Sequence, residues 1–271
     1  MDLVNKVAVI TGGAAGIGYE IADNYIKKGA RVVLVDINQV QGEESRKKLN
    51  NKYGAGKVTF YKADVTNEAD LNTVFKKVTE KNNVDVLVNN AGILNDQVWK
   101  KCIDINVTYL IGWSLKFWEH MRKDKGGKGG TIINLCSIYG YRVDPYLPVY
   151  QASKFAVMGF TKSLGHDYNY INYGVRVVAI CPGFTRTDLT TDENLRTLED
   201  SKRVADLKKF VDGNLWQDVD AVGKAAVEVF EKAKSGSAWL IEGNKPIVEN
   251  FRELEILIYF LFEYIIVYIF F

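Results

Sequence analysis

Residues 6–18 read KVAVITGGAAGIG, and this stretch decides the fold. Its first part is a short apolar run, which predicts a fully buried strand. Gly12, Gly16 and Gly18 follow, and from Ile17 onward apolar residues recur with helical spacing. A strand, a glycine turn and a helix in this order are the context of a dinucleotide-binding fingerprint. Glycines let the backbone turn sharply and approach a pyrophosphate, whose charge is met by free N–H groups at the helix start.

A second apolar strand strengthens this interpretation. Residues 31–35 read RVVLV and lead into Asp36, which lies 18 residues beyond Gly18. That spacing is close to the one expected for a carboxylate that binds ribose hydroxyls. A carboxylate there repels a 2′-phosphate, so we expect NAD rather than NADP, with contacts from Asp36 and the adjacent Ile37. An aspartate that only caps a helix or a turn is the alternative.

A tyrosine and a lysine four residues apart suggest the chemistry. Tyr150 and Lys154 occur in residues 149–154, VYQASK, and on a helix they would share one face. A lysine ammonium beside a phenol would lower the tyrosine pKa from its usual value of roughly 10. Such a tyrosine can take the proton of an alcohol or return it to a carbonyl. An isolated pair of this kind is usually a surface feature, but the glycine loop and the upstream Ser137 favour catalysis.

Taken together, the motifs resemble those of the short-chain dehydrogenase/reductase family. The resemblance covers roughly residues 3–245 and rests on motifs in the family's order and spacing. These are the loop T-G-x-x-x-G-x-G at 11–18, Asp64-Val65, Asn89-Asn90-Ala91-Gly92, Asn106, Ser137, Tyr150 with Lys154, and Pro182-Gly183. Residues 148–154 and 180–184 are most similar to the 15-hydroxyprostaglandin dehydrogenase and insect alcohol dehydrogenase branch. In prostaglandin-acting members a glutamine stands at the position of Leu147 and holds the substrate hydroxyl, and Leu147 cannot make that hydrogen bond.

The resemblance implies roles for the catalytic residues. Ser137 would donate a hydrogen bond to the substrate oxygen and hold it near Tyr150. Lys154 would lower the tyrosine pKa and also hold the nicotinamide ribose. Asn106 resembles the family asparagine that breaks helix regularity and anchors a water, which leads protons from the lysine to solvent.

The resemblance also implies how the cofactor is held. Asp64 and Val65 would contact the adenine, and Asn90 would lie under the adenosine ribose. The segment that contains Thr185 and Thr187 would close on the carboxamide and pyrophosphate, although ordinary turn chemistry is the alternative for these contacts. The full expected set is Gly12, Gly16, Ile17, Gly18, Asp36, Ile37, Asp64, Val65, Asn90, Tyr150, Lys154, Pro182, Thr185 and Thr187.

Strand and helix patterns alternate along the whole chain. Apolar runs predict seven strands near residues 7–11, 31–35, 57–61, 84–89, 131–136, 174–180 and 238–242. This pattern predicts an α/β fold, a single doubly wound parallel sheet (Rossmann fold) with helices on both faces. One domain would span residues 1–250. The site residues follow strand ends, so they should converge on one crevice.

Composition excludes several functional classes. The 271 residues carry a net charge of +2, so nothing calls for a nucleic-acid partner. The three cysteines are an odd number, and we expect free buried thiols in a reducing compartment. His120 and His166 lack partners at metal-ligand spacing, so no metal site is expected. The first residues do not form a signal peptide, which favours a cytoplasmic location.

Two regions are expected to contact partners. Residues 188–216 correspond to the family's substrate lid, with an apolar stripe at Leu195, Leu198, Val204, Leu207, Phe210 and Val211. That stripe could line a pocket, although packing against the core is the more common role. Family members pair through two long helices, here near residues 97–123 and 150–172. We expect a homodimer or homotetramer, with apolar surface from Trp99, Val107, Leu110, Trp113, Phe117 and Met121.

The tail at residues 251–271 is atypical. From Leu254 to Phe271 every residue except Glu255 and Glu263 is apolar or aromatic. A translation artefact, a subunit-interface element and a membrane anchor are the three alternatives. The anchor is disfavoured because a charged residue inside a bilayer costs roughly 2.5 kcal/mol or more.

The sequence therefore predicts an NAD-dependent oxidoreductase that interconverts a secondary alcohol and its ketone. Ile138, Tyr139, Tyr141 and Tyr146 flank the catalytic residues and suggest a hydrophobic small-molecule substrate. A nucleotide-binding protein without catalysis and a membrane-attached reductase of lipid or steroid carbonyls are the alternatives.

Overall fold

A computed structural model describes residues 1–81, 83–191 and 201–249. In this part of the chain the main sheet has eight strands, in the order β10-β9-β6-β5-β4-β1-β2-β3. A separate two-stranded sheet pairs β7 with β8. The strands are β1 Val7–Thr11, β2 Arg31–Asp36, β3 Val58–Lys62, β4 Val86–Asn89, β5 Gly130–Leu135, β6 Val175–Pro182, β7 Phe184–Thr185, β8 Trp216–Gln217, β9 Ala238–Ile241 and β10 Val248–Glu249.

All seven predicted strands are present and parallel, which confirms the doubly wound fold. The prediction of seven strands was one short, because β10 adds an eighth that pairs with β9 in antiparallel fashion. β10 has only two residues, so it carries no apolar run from which a strand could be predicted. The central strands β1, β4 and β6 are buried at every position. Such strands read as continuous apolar runs because helices cover both faces.

Helices connect the strands in the way a parallel sheet requires. Between α4 and α5 the chain continues as a π-helix over Asp104–Tyr109. The α-helices are α1 Gly16–Lys27, α2 Gln39–Tyr53, α3 Glu68–Thr79, α4 Trp99–Ile103, α5 Leu110–Met121, α6 Pro148–Leu164, α7 Asp167–Tyr173, α8 Ser201–Asp212 and α9 Val219–Lys232.

Alternate residues of the strands face two separate cores. On one face Ala8 and Ile10 pack with apolar residues of α1, α2 and α9. The first and last helices of this face are directly joined, because the Tyr25 hydroxyl donates to the Ala226 carbonyl at 3.2 Å. On the other face Val7 and Val9 pack with α3 and α5.

The second core corrects one expectation about assembly. Trp113, Phe117 and Met121 are at most 1% exposed and pack under the sheet, so they offer no surface to a partner. Their spacing of four residues places them on one stripe, and the sheet covers that stripe fully. Leu110 is buried as well. Of the expected set Trp99 is 55% exposed.

The strand order places the site at one edge of the sheet. β1 lies between β2 and β4, so the chain reverses its direction of winding at the β1/β4 boundary. In open α/β sheets ligands bind at such a switch point, beyond the carboxyl ends of the strands. Among the described residues no helix is both long and apolar enough to cross a bilayer. The tail at 251–271 lies outside the described residues.

Candidate active site

The glycine loop between β1 and α1 has a conformation that only glycine adopts easily. Gly12 and Gly16 have φ values of +62° and +52°, in the left-handed region. A Cβ on Gly18 would lie 2.2 Å from the Gly12 carbonyl oxygen, so any side chain there would clash. Ala15, the residue before α1, provides no side-chain cap, so the first N–H groups of the helix stay available. The loop therefore fits a pyrophosphate.

Asn90 supports this loop from the end of β4. Its side-chain amide donates to the carbonyl oxygens of Thr11 and Gly12, at 3.1 and 2.9 Å. The Thr11 hydroxyl in turn accepts the backbone N–H groups of Asn90 and Ala91. These bonds fix the loop against β4, and they leave Asn90 on the wall of the cavity described below.

Asp36 ends β2 beside the glycine loop. Its two carboxylate oxygens accept backbone N–H groups of Ala14 and Asn38, both at 3.0 Å. Each oxygen retains a further lone pair, because a carboxylate oxygen can accept more than one hydrogen bond. The adjacent Ile37 is 61% exposed. The Asp36 carboxylate thus lies beside the glycine loop, where it could accept hydrogen bonds from the hydroxyls of a bound ribose.

Asp64 and Val65 follow β3 and are further from the centre. One Asp64 oxygen accepts the Thr66 backbone N–H at 2.8 Å and the Thr66 hydroxyl at 2.7 Å. This is the turn chemistry that the sequence left open as an alternative. Val65 packs partly buried against the core under the sheet.

One cavity of about 320 Å3 joins the glycine loop to the predicted catalytic residues. The charged side chains among its described lining residues are Lys154 and Asp188. It brings together Gly12, Gly16, Ile17, Asn90, Ser137, Tyr150, Lys154, Pro182, Thr185 and Thr187 of the expected set. The expected residues outside its lining are Gly18, Asp36, Ile37, Asp64, Val65 and Asn106.

Ser137 and Tyr150 meet inside this cavity. Ser137 begins a short turn after β5, and Tyr150 lies in the first turn of α6. Both side chains are buried. Burial raises the pKa of Tyr150 above its ordinary value, and a hydrogen bond with the Ser137 side chain lowers it in part.

Lys154 lies one turn further along α6, beside Tyr150. Its ammonium donates to the Leu135 carbonyl at 2.9 Å and lies 5.5 Å from the centre of the Tyr150 ring. Burial lowers the pKa of Lys154. Burial of the phenol, with a smaller contribution from Cys136 and Cys102, raises the pKa of Tyr150, and the Ser137 side chain opposes that rise.

Asn106 lies in the π-helix, so the predicted break in helix regularity is present. Its amide group donates to the Ile93 carbonyl at 2.9 Å and to the Ser153 hydroxyl at 3.1 Å. Its oxygen accepts the Ile93 backbone N–H at 2.9 Å. Asn106 thereby ties the loop after β4 to α6, next to Lys154.

Asp96 is a site residue that the sequence did not reveal. Its carboxylate accepts the backbone N–H groups of Val149 and Tyr150, at 2.9 and 3.0 Å, and only 1% of the residue is exposed. Burial raises the pKa of Asp96, and the two backbone bonds lower it in part. The residue before α6, Leu147, offers no side-chain cap. Asp96 therefore caps the helix that carries Tyr150.

The wall opposite the glycine loop is apolar. Leu147 is 1% exposed, and the Tyr139 ring lies edge-on to the Tyr150 ring at 6.0 Å. The apolar lining residues on this side are Leu94, Ile138, Tyr139, Leu147, Phe184 and Leu189. Two expected contributors, Tyr141 and Tyr146, pack in the same cluster but do not line the cavity.

The lid stripe packs against this cluster, as its more common role predicted. Leu207 and Val211 of α8 are buried in the cluster that includes Tyr150, and Phe210 contacts the Tyr146 ring at 5.4 Å. These residues do not line the cavity. Val204 is 48% exposed. Leu195 and Leu198 lie outside the described residues.

The fold and this site define a class of protein. A family model described as short chain dehydrogenase matches residues 6–197, well over half of the chain. The chain therefore belongs to the short-chain dehydrogenase family, which confirms the resemblance of its motifs and makes it an oxidoreductase by family.

The relatives agree with the expected branch. A 15-hydroxyprostaglandin dehydrogenase of Macaca fascicularis, whose name specifies NAD(+), is 38% identical over 216 residues, covering 78% of this chain and 81% of the relative. Alcohol dehydrogenase 1 of Ceratitis cosyra is 33% identical over 243 residues, covering 89% and 93%. The solved structure of levodione reductase matches with a TM-score of 0.76 and 24% identity, covering 89% of this chain and 97% of that chain. At that identity the likeness shows the fold alone.

Proposed function

We propose that this chain is an NAD-dependent dehydrogenase that interconverts an uncharged, largely apolar secondary alcohol and its ketone. One observation carries the proposal. The Ser137 and Tyr150 side chains share a single cavity with Lys154 and the glycine loop. The residues that could transfer a proton and the loop that could bind a dinucleotide thus line the same cavity.

The residues present fit the cofactor. The glycine loop and the uncapped start of α1 would hold the pyrophosphate, and Asp36 would bind the ribose hydroxyls. A 2′-phosphate would meet the Asp36 carboxylate, which disfavours NADP. Pro182, Thr185 and Thr187 line the cavity beside the loop, where they would contact the nicotinamide half. NAD, when bound there, supplies the acceptor or donor of a hydride.

The chain's own residues manage the substrate oxygen and its proton. Ser137 would donate a hydrogen bond to that oxygen and hold it at the Tyr150 hydroxyl. Tyr150 would take the alcohol proton during oxidation and return it during reduction. For Tyr150 to lose its own proton, the raised pKa caused by burial has to be offset, and the nearest ammonium is that of Lys154. Asn106 would keep Lys154 in place through Ser153.

The wall chemistry supports the substrate class. Lys154 is the one cation among the described lining residues, and its ammonium is already bonded to the Leu135 carbonyl, so a carboxylate on the substrate would have no cation of its own. Leu147 offers only methyl groups next to Tyr150. An alkyl or aryl group beside the reacting carbon would bury apolar surface there, at about 25 cal/mol per Å2.

We further propose that residues 1–250 act as one domain and that the protein is a homodimer or homotetramer. Trp99 on α4 and Phe155 on α6, which are 55% and 44% exposed, are the apolar groups that a partner subunit would cover. Light scattering at micromolar concentration tests the assembly, and a monomer there contradicts it.

Removal of one hydroxyl tests the catalytic assignment. In Tyr150→Phe we expect turnover of a screened secondary alcohol to fall by about 10²- to 10⁴-fold, the usual contribution of general acid–base catalysis. NAD binding, followed by titration, should survive. Tyr139→Phe is the matched control, because Tyr139 is also buried and lines the same cavity. A Tyr150→Phe protein that keeps the activity of the Tyr139→Phe control contradicts the assignment.

A further inference from the structure

Two cysteines stand side by side behind the catalytic residues. Leu135 of β5 pairs with Ile180 of β6, and the next residue along each strand is a cysteine, Cys136 and Cys181. The Cys136 backbone N–H donates to the Ile180 carbonyl at 2.8 Å, so the pairing continues to this point. Neighbouring strands lie about 4.8 Å apart, within the range of roughly 4.4–6.8 Å that a disulfide bridges between Cα atoms.

The two thiols are in contact and have unequal surroundings. Their side chains pack together in one buried cluster. Cys136 lines the cavity, whereas Cys181 is fully buried. Burial opposes ionisation of Cys136, but the neighbouring Cys181 thiol and the Lys154 ammonium outweigh it and lower the pKa of Cys136. Cys136, which is buried but borders the cavity and lies near an ammonium, thus has the position of an attacking thiol, and Cys181 behind it that of a resolving thiol.

We propose that Cys136 and Cys181 form a redox-sensitive thiol pair, which hydrogen peroxide entering the cavity oxidises to a disulfide. The Cys136 thiolate attacks one peroxide oxygen, the O–O bond breaks, and the released hydroxide takes a proton to become water. The resulting sulfenic acid is attacked by the Cys181 sulfur. An S–S bond forms, the S–O bond breaks, and a second water leaves. Two thiols are oxidised and one peroxide is reduced.

The disulfide would disturb the adjacent site. The Cys136 sulfur now donates to the Lys154 carbonyl at 3.3 Å, and Ser137 is the next residue. A Cβ on Gly140 would lie 2.4 Å from the Cys136 sulfur, so this sulfur has little free space. Movement of the sulfur toward Cys181 breaks its bond to α6 and shifts Ser137 relative to Tyr150. Oxidation should therefore lower turnover, a consequence that rests on the proposed function.

Peptide mapping of the full-length protein tests the bond itself. After peroxide treatment, alkylation and digestion without reductant, we expect a peptide pair joined through Cys136 and Cys181, with Cys102 still alkylated. Cys102 is the matched control, because it is also buried but lies in α4, where its sulfur accepts the Asn106 amide. Cys102→Ala should still form the disulfide, and Cys181→Ala should not. Full alkylation of Cys136 and Cys181 after peroxide overturns the proposal, as does a bond to Cys102.

Turnover then tests the regulatory consequence. In the wild type and in Cys102→Ala, peroxide should lower turnover at least about tenfold in a way that dithiothreitol reverses. Cys181→Ala should lack the reversible loss. If the disulfide forms and turnover is unchanged, the regulatory effect is refuted. If no alcohol or ketone is turned over at all, the proposed function fails, while the mapping still decides whether the thiol pair exists.

Discussion

Replacement of Asp96 by alanine should damage both stability and catalysis, although Asp96 does not line the cavity. The change leaves the buried N–H groups of Val149 and Tyr150 without an acceptor, at a cost of about 1–3 kcal/mol each. The substitution also removes a buried carboxylate, whose desolvation is costly and raises its pKa, and this offsets part of the loss. We expect a net loss of about 2 kcal/mol in the free energy of unfolding, near the upper end for a helix cap.

Catalysis should suffer because the freed backbone group belongs to Tyr150 itself. A small displacement of its hydroxyl from Ser137 should lower kcat by roughly tenfold or more, while NAD affinity stays unchanged. Urea unfolding at fixed protein concentration measures the first effect, and steady-state kinetics with NAD titration measures the second. Asp96→Asn should recover part of both, because its carbonyl oxygen still accepts one N–H group.

Asp85→Ala is the matched control for this experiment. The Asp85 carboxylate also accepts a backbone N–H, that of Val7 at 2.9 Å, but it lies at the amino end of the strands. We expect it to lose stability and keep kcat. If Asp96→Ala loses no more activity than Asp85→Ala, the cap does not position Tyr150 and the reasoning is refuted.

Three further predictions concern the cofactor loop and a buried charge. Wild type should bind NAD at least about tenfold tighter than NADP, a difference of about 1.4 kcal/mol in binding free energy. Asp36→Ala should remove this preference. Equal affinities for the two cofactors in the wild type would contradict the role of Asp36. Gly18→Ala should abolish NAD binding in titrations because its Cβ meets a carbonyl oxygen at 2.2 Å. Gly159→Ala, on an exposed helix position with open space, should instead raise the free energy of unfolding by up to about 1 kcal/mol. Burial lowers the pKa of Lys154 in the folded protein. At a pH just below the ordinary lysine pKa of 10.5, this side chain therefore binds more protons in the unfolded chain than in the folded one. The stability of wild type relative to Lys154→Met should therefore rise with pH up to that value, and a flat difference in urea unfolding between pH 7 and 10 would refute this.

The sheet was predictable because buried parallel strands leave a strong signal in the sequence. Each of β1, β4 and β6 is an apolar run that ends in a polar or glycine-rich turn, and the residues after those turns were therefore expected in one crevice. Ser137, Tyr150 and Lys154 do share that crevice. Periodicity alone could not show which neighbour covers an apolar stripe. For this reason the sequence predicts that Trp113 and Phe117 face a partner subunit, although the sheet buries them.

Contacts between distant segments explain the other differences. Asp96 accepts hydrogen bonds from backbone N–H groups that lie 53 and 54 residues further along the chain. A sequence does not indicate which distant backbone groups a side chain will bind. The Lys154 ammonium likewise binds a carbonyl of β5, 19 residues upstream, which no spacing rule indicates. A shared helix face predicts that a phenol and an ammonium are close, but burial of the phenol decides the direction of its pKa.

The packing of α1 against α9 has a consequence for synthesis of the protein on the ribosome. The helix that opens the glycine loop is covered by one that begins about 200 residues later, and the Tyr25–Ala226 hydrogen bond joins the two. Until α9 has emerged, the part of the apolar face of α1 that α9 covers stays exposed, although β1, β2 and α2 can already pack against the rest. Contacts so distant in sequence also slow folding, because a long loop must close before they form. Nascent chains that stop before residue 219 should therefore need a chaperone to protect α1, and pulse proteolysis of stalled chains should find its residues cleavable until α9 is released.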